Sequence, residues 1–493
     1  MRRVILLLVD GLRPDCAEAM LAAGELPHLA AMTARSGVAR SVTVFPSTTM
    51  VAYLPFLTGC MPGTCNVPSI RWLDRARYAG RWWQDREAVR SYCGYQVARF
   101  DTDLAPGVPT IWELVPDSIG LCTPMSRGLP PERDPVRARR KWLALASHFF
   151  LPLHQVLDDV TGRHLIEAVN GPWRFIFAVF AAVDGYSHRR TPDAAEVRRA
   201  MRRLDAVVGR IRRDLAEREE LDETLIVLVS DHGFAPVHTH LDLADWFRAR
   251  DVPTLSHPVV WERAPRAAVM VAGNGSAMVY ARPGRPRTAR MPLEELRRPD
   301  AFGSSTDLIA ALAAEPAIAL LAAERAAGGI AVVSADGAAT IERDGPLITY
   351  RPGSGDPLRL GGERRATADE WLAHAASDCY PDAAVQLLDQ FSSPRAGDLL
   401  VAANEGFDLR DRFEIPEHRC GHGSLVRSHM EVPLWSSAPL PAARLRAVDL
   451  LPSMLSWLGL PVPPGIDGRL VWRPEAVPAG RAHAVYSGGG AAG

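Results

Sequence analysis

Three stretches of uninterrupted apolar residues end in the same way. Val4–Val9 (VILLLV) runs into Asp10–Gly11, Phe175–Val183 (FIFAVFAAV) runs into Asp184–Gly185, and the apolar run through Val227–Val229 ends in Ser230-Asp231-His232-Gly233. Short apolar runs without polar alternation predict strands buried on both faces, as in a parallel sheet. Open α/β sheets bind ligands at the carboxyl ends of their strands, so three carboxylates delivered there predict a site. A single aspartate after a strand is ordinarily a turn former or a helix cap. Three of them, with His232 adjacent and His188 four residues after Asp184, favour metal binding instead.

Residues 1 to about 240 alternate strands with helical patterns, which predicts an α/β fold: a mostly parallel central sheet with helices on both faces. The clearest helix is expected over Asp193–Glu219, capped by Thr191, with Pro192 in the first helical position. Its apolar stripe is Val197, Met201, Leu204, Val208, Ile211 and Leu215, and its many arginines read as a solvated surface.

After Leu243 the pattern changes. Ala267–Val271 and Ala277–Ala281 around Gly273-Asn274-Gly275 predict a hairpin, and Arg282–Arg298 a Pro/Arg-rich linker. An Ala/Leu helix is expected over Thr306–Ala327, then short strands at Ile330–Ser334, Ala339–Glu342 and Leu347–Arg351. This is read as an α+β cap inserted beside the active edge. The frame is expected to resume with a strand at Asp398–Ala402, another within Arg427–Leu434, and a closing helix over Val448–Leu460. The division is a core over 1–244 and 396–475, an inserted cap over 245–395 and a tail over 476–493. Trp142–Val160 is apolar and divided by Pro152. It reads as a buried helical pair, with a lid or a contact for a lipid-like substrate as the alternative.

Composition narrows the function classes. A chain of 493 residues exceeds one ordinary core. A net charge of −1 provides no field for a nucleic-acid polymer, so a small-molecule partner is expected. Lys141 is the sole lysine, which excludes a lysine nucleophile or Schiff base elsewhere. No apolar stretch reaches the ~18 residues of a membrane span, and the apolar run after Arg3 is too short for a signal segment. Seven cysteines without a C-x-x-C pair point to reduced thiols and the cytoplasm.

Between the first two acidic strand ends lies Val44-Phe45-Pro46-Ser47-Thr48-Thr49, followed by Thr58–Gly59 and Pro62. A Ser/Thr cluster after a strand and before a helical stretch is commonly a cap. A hydroxyl there can also meet a phosphate at a helix N-terminus and, beside a metal, become a nucleophile.

Together, VDGLRPD at Val9–Asp15, FPSTT…LTG…P, the AxxDxxxH pattern over Ala181–His188, SDHG and the late GHGS around His422 resemble the alkaline phosphatase superfamily. The branch they resemble is its type I phosphodiesterase/nucleotide pyrophosphatase family. The match spans Met1 to about Leu243 and Asp411 to about Pro474, including the closing Val448-Asp449-Leu450 and Pro464–Gly468 segments.

The resemblance implies an alkaline-phosphatase-like fold and two divalent metal ions, zinc being preferred and manganese or iron possible. Asp184, His188 and His422 would hold one ion, and Asp10, Asp231 and His232 the other. The family's threonine nucleophile lies three residues after the proline and nine before the Thr-Gly pair. Both counts give Thr49, ahead of Thr48 and Ser47, and Thr49 is counted among the metal contacts too. The implied activity is hydrolysis of a phosphodiester or nucleotide pyrophosphate through a covalent phospho-enzyme. A phosphomonoesterase or phosphonate hydrolase on the same site is the alternative, and a catalytically silent phosphate-ligand-binding protein is the alternative from another class.

The chain departs from the family in two places. Cys65–Asn66 stands where members often carry His-Gly, and Ile70, beside Arg71, stands where some carry a phosphate-binding asparagine. Arg71 is therefore read either as a contact for a non-bridging oxygen or as a partner of Asp74. His238, His240 and His429 read as supporting residues, because six ligands already complete two sites.

Overall fold

The computed structural model describes residues 1–34, 36–80, 87–93, 95–139, 153–258, 261–284, 289–410 and 417–473. The helical pair expected across Pro152 therefore falls largely outside the described residues, as do Lys141 and the tail over 476–493. No helix among the described residues is long and apolar enough to cross a membrane.

The central sheet has six strands, in the order Val38–Val42, Glu431–Ser436, Thr224–Val229, Arg3–Val9, Phe175–Phe180 and Ser118–Leu121. The four from Thr224–Val229 to Ser118–Leu121 are mutually parallel, while Glu431–Ser436 runs against both of its neighbours. Val4–Val9 and Leu225–Val229 are fully buried, as their unbroken apolar sequence requires. In register, Leu8 pairs with both Val179 and Val229, so the three strands expected to end in carboxylates are adjacent and end at one edge. Helix His154–Val169 packs against Phe175–Phe180 and carries Ala195–Glu217 on it, while Leu450–Trp457, packed with Leu54–Thr58, lies at Arg3–Val9.

The Ala195–Glu217 helix buries the expected stripe, but it begins later than expected. Ala194 is its N-cap, and the Thr191 hydroxyl donates to the Asp193 carboxylate instead of capping.

The inserted segment builds a nine-stranded sheet, antiparallel except where Thr254–Ser256 joins Ala267–Ala272. The expected hairpin is present as Ala267–Ala272 and Ser276–Ala281, with Val269 opposite Val279. Two expectations are corrected here. The single helix over Thr306–Ala327 is instead a short helix, Leu308–Ala313, followed by the strand Ile318–Glu324. Asp307 caps the helix through the Ile309 and Ala310 amides. Pro316 disfavours helical backbone at Glu315, and burial between two strands overrides the helix propensity of IALLAAE.

The strand expected at Asp398–Ala402 forms as Leu399–Ala403, but between Ile318–Glu324 and Ser276–Ala281 within the nine-stranded sheet. The sheet therefore extends past residue 395, and the parallel sheet resumes only at Glu431.

The insert is also more than a cap, because it shares a core with the strand leading to Thr49. Val42, Val44 and Phe45 pack in one cluster with Leu320, Tyr350, Trp371 and Leu387. Helix Ala383–Gln390 sends Gln386 across to accept the Phe45 N–H at 2.9 Å, and Gln390 donates to Phe45 O. A buried bidentate pair, Arg446 Nε and Nη2 to Asp382 at 2.7 Å each, ties the same helix end to the closing segment. Removing one partner of a buried pair strands the other's charge. Arg446→Met is thus expected to cost about 3–5 kcal/mol, read as a lowered denaturation midpoint with an unchanged far-ultraviolet spectrum at low temperature.

Candidate active site

Each acidic residue reaches the sheet edge by a different local device. Asp10 follows the first strand directly, its N–H donating to Phe180 O at 2.9 Å. The next residue, Gly11, has φ +71°, and a Cβ there would lie 2.4 Å from the Phe234 ring, so only glycine fits the turn. The Gly11 N–H in turn donates to Asp231 Oδ1 at 3.2 Å, and the Leu12 N–H donates to Ser230 Oγ at 2.8 Å, clamping the first and third strand ends together. Asp184 and His188 lie one turn apart on helix Ala182–Arg189, the i,i+4 spacing that sets two side chains on one face. The helix N-terminus is capped from a distance: Asp158 accepts the Ala181 N–H at 2.8 Å and the Ala182 N–H at 3.2 Å.

His422 arrives from far along the chain. Cys420–Gly421 pairs antiparallel with Ala235–His240, the strand that follows Asp231–His232, and so carries the GHGS segment across to SDHG. The structure thus gathers Asp10, Asp184, His188, Asp231, His232 and His422 at one edge. Asp184 Oδ1 lies 3.4 Å from His188 Nε2, 4.0 Å from His232 Nε2 and 3.9 Å from His422 Nε2. His232 Nε2 also lies 3.3 Å from Asp10 Oδ1 and 3.4 Å from Asp231 Oδ2. The His232 and His422 rings stack at 3.7 Å, and Phe234 packs edge-on against them and His188.

The imidazoles share one orientation. Each points Nδ1 at a backbone carbonyl: His188 at Cys420 O (3.0 Å), His232 at Gly233 O (3.1 Å) and His422 at Ser47 O (3.0 Å). An Nδ1–H donated to a carbonyl leaves Nε2 with its lone pair, which is the tautomer of a metal ligand. Three such lone pairs converge on carboxylate oxygens.

The charges are accordingly in conflict. Burial, then the neighbouring Asp184, pushes the Asp10 carboxyl above the usual range. Burial, then Asp10, pushes Asp231 well above it. His188, then His422 and His232, draws Asp184 down despite its burial. Among the described residues, no hydrogen-bond donor meets the buried oxygens Asp184 Oδ1 and Asp231 Oδ2.

A divalent cation resolves this conflict, and the donor set fits one. Two groups, Asp184–His232–His422 and Asp10–Asp231–His232, each bring their ligand atoms within 4.8 Å of one another; His232 belongs to both, and His188, expected beside Asp184 and His422, to neither. Bonds of about 2.0 Å in a tetrahedral site imply ligand–ligand edges of about 3.3 Å, and the shortest separations here are 3.3–3.4 Å.

Thr49 stands at the rim. Its Oγ1 lies 3.0 Å from His232 Nε2 and 3.3 Å from Asp10 Oδ1. Met50 follows with φ +76° and ψ −56°, a strained γ-turn geometry.

Three residues outside the sequence motifs also stand at the site. The Tyr53 hydroxyl donates to Asp10 Oδ2 at 2.6 Å, and burial followed by the Asp10 charge keeps that phenol protonated. Tyr53 lies four residues after Thr49, a spacing that was available as a signal. Asp158, and His418 with its ring 4.1 Å from His188, had none. Of the supporting histidines, His429 accepts the Ser424 N–H at 3.1 Å beside the His422 loop, while His240 pairs with Asp408. His238 packs its ring toward Gly406. Asp74 pairs with Arg77, not Arg71.

A family model described as type I phosphodiesterase/nucleotide pyrophosphatase matches residues 4–425. No curated protein matches the sequence. Phosphonoacetate hydrolase from Sinorhizobium meliloti 1021, solved with phosphonoacetate, is 15% identical, with 92% of this chain and 96% of that chain covered and a TM-score of 0.55. An inactive threonine-to-alanine form of murine ectonucleotide pyrophosphatase/phosphodiesterase 5, solved with AMP, is 11% identical, with 94% and 96% covered and a TM-score of 0.55. These likenesses establish an alkaline-phosphatase-like fold.

The charge conflict has a measurable consequence in a chelator. Burial depresses His232, but Asp231, Asp10 and Asp184 outweigh it and raise the imidazole from 6.5 to about 9. A pKa raised on folding contributes stability that is complete below about pH 6.5 and lost as pH rises through about 9. The raised carboxyls of Asp10 and Asp231 act in the same sense. The chelated protein should therefore lose thermal stability between pH 6.5 and 9, and added zinc should flatten that slope. A midpoint independent of pH in chelator would contradict the geometry.

Proposed function

Because the chain belongs to the type I phosphodiesterase/nucleotide pyrophosphatase family, and with it to the phosphoester hydrolases, we propose that it is a two-metal phosphodiesterase or nucleotide pyrophosphatase acting through Thr49. Asp184, His188 and His422 would hold one ion, and Asp10, Asp231 and His232 the other, with zinc best suited to this oxygen and nitrogen set. Two such ions supply the positive charge that favours an ionised attacking hydroxyl and neutralises the oxygens of an in-line displacement.

The chain's own residues do the positioning. Ser47 and Thr48 are buried, whereas Thr49 is half-exposed beside His232 and Asp10, and this difference is the observation that carries the assignment. Tyr53 holds Asp10 Oδ2, which leaves Oδ1 turned toward the Thr49 hydroxyl. Thr49 Oγ1 bonds to phosphorus as the ester's leaving oxygen departs, and water then breaks the threonine–phosphoryl bond. Phosphoryl transfer depends chiefly on positioning and charge neutralisation, so this short cast suffices.

A second reading, hydrolysis of phosphonates, draws support from the phosphonoacetate hydrolase with the same fold. The inactive threonine-to-alanine form of the murine pyrophosphatase supports a threonine in the central role. All seven cysteines are free thiols, which agrees with a reducing compartment, and we assign the protein to the cytoplasm.

Thr49→Ala in the zinc-loaded protein is expected to lower hydrolysis of an aryl phosphodiester by about a thousandfold or more. Elemental analysis should still find both metal ions bound. Near-wild-type turnover by that variant would remove Thr49 from the mechanism, and loss of both ions would make its role structural.

A further inference from the structure

The main chain of His422 is held by the inserted sheet. At the tip of the hairpin formed by Ala267–Ala272 and Ser276–Ala281, the turn Gly273-Asn274-Gly275 runs alongside His422, with Asn274 bridged to it in parallel register. The Gly275 N–H donates to His422 O at 2.7 Å, and the His422 N–H donates to Gly273 O at 3.3 Å. Both main-chain polar groups of the residue are therefore met by one turn. Two residues on, the Ser424 hydroxyl donates to Ala403 O at 2.7 Å, and the Ala403 N–H donates to Gly275 O at 2.8 Å.

The approach is close enough to exclude side chains from the turn. Gly273 has φ +54°, and a Cβ there would stand 2.8 Å from His422 Nδ1, the nitrogen that faces Ser47 O. A Cβ on Gly275 would stand 2.4 Å from His422 O. Either substitution has to push the imidazole or its main chain aside.

The turn is fixed from its other side as well. The Leu409 N–H donates to Asn274 O at 2.7 Å, and Leu409 directly follows Gly406–Asp408, a strand paired with Ala235–His240. Ala235–His240 also pairs with Cys420–Gly421, which leads into His422. The pairings thus close a ring that starts and ends at the turn, and His422 lies on it. Asp10, Asp231 and His232 are held differently. They hydrogen-bond to Phe180, Tyr53, Gly11, Thr43 and Ser230, all outside the insert.

We propose that the Gly273-Asn274-Gly275 turn is a positioning element for one metal ion. It seats His422, sets the affinity of the ion that His422 holds, and leaves the ion on Asp10 and Asp231 unchanged. The inference rests on the two-ion reading above. The inserted sheet thereby governs whether the site holds one ion or two, because a ligand's supporting contacts fix its direction toward the metal.

The test is competition titration of zinc into the chelator-stripped full chain, read as stoichiometry and as a dissociation constant for each ion. The wild type is expected to bind two ions, one of which His422→Ala loses. Gly273→Ala should weaken that same ion by about tenfold or more and leave the other within about twofold. In the His422→Ala background Gly273→Ala should cause no further loss, since it acts through the imidazole. Gly345 provides the control: it lies at the tip of another hairpin of the insert, with φ +57° and nothing within 4 Å of an added Cβ. Gly345→Ala imposes similar backbone strain away from the site, and both affinities should keep their wild-type values.

If Gly273→Ala does not fold, hydrogen exchange of the wild type reads the same coupling. By reciprocity, zinc should slow exchange at the Gly275 amide more than in the strand Ile330–Ser334 of the same sheet. Equal weakening of both ions by Gly273→Ala overturns the proposal, as does matching weakening by Gly345→Ala or a Gly275 amide indifferent to zinc. Two ions bound and unmoved by Gly273→Ala overturn the positioning role alone. A wild type with no ion sensitive to His422→Ala overturns the two-ion reading together with it.

Discussion

Two buried carboxylates and a third, half-buried one, gathered where adjacent parallel strands end, impose the constraint from which much of this structure follows. Taking even one ionised carboxylate out of water costs several kcal/mol unless positive charge meets it. Asp10, Asp184 and Asp231 cannot separate, because Arg3–Val9 is paired on both sides by the strands leading to the other two. The sheet therefore fixes the charges first, and the rest of the chain has to answer them. It does so with three imidazoles whose Nε2 atoms face the carboxylates and whose Nδ1 atoms are held by main-chain carbonyls.

The answer is assembled from distant segments, which gives the insert its second role. His422 is oriented by Ser47 O, and Ser47 Oγ donates back to Ser424 O at 2.8 Å. The loop bearing Thr49 is thus hydrogen-bonded to the loop bearing His422. Behind it, Gln386 and Gln390 hold Phe45 from a helix of the insert, while Arg446 fixes the same helix from the closing segment. Strain at Met50 persists because these contacts over-determine the loop. The inserted segment therefore supports the loop bearing Thr49 from beneath as well as flanking the site.

Much of this was legible in the sequence wherever a local pattern has a single physical meaning. An apolar run ending in Asp-Gly or Asp-His-Gly has few readings other than a buried strand and a turn, and the hairpin around Gly273-Asn274-Gly275 is similarly explicit. Legibility ended where burial decides between alternatives. The segment at Ile318–Glu324 favours helix by composition and becomes a central strand because both of its neighbours are strands. Leu399–Ala403 reads equally well as a strand of either sheet, since a strand buried on both faces carries no mark of its partner. Asp158 was invisible for a related reason: a helix cap supplied by another helix has no fixed spacing in the chain.

The orientation of the imidazoles depends on the main chain more than on neighbouring side chains. A carbonyl that aims Nδ1 belongs to the main chain, so its direction depends on backbone geometry and not on which side chain the residue carries. Cys420, Gly233 and Ser47 supply these carbonyls, and only the backbone atom is used in each case. The demands on side chains are concentrated in the acids, the imidazoles, Thr49 and the few glycines that permit close approach. The positions of the ligand atoms at the sheet edge are thus set by main-chain geometry as much as by side-chain identity.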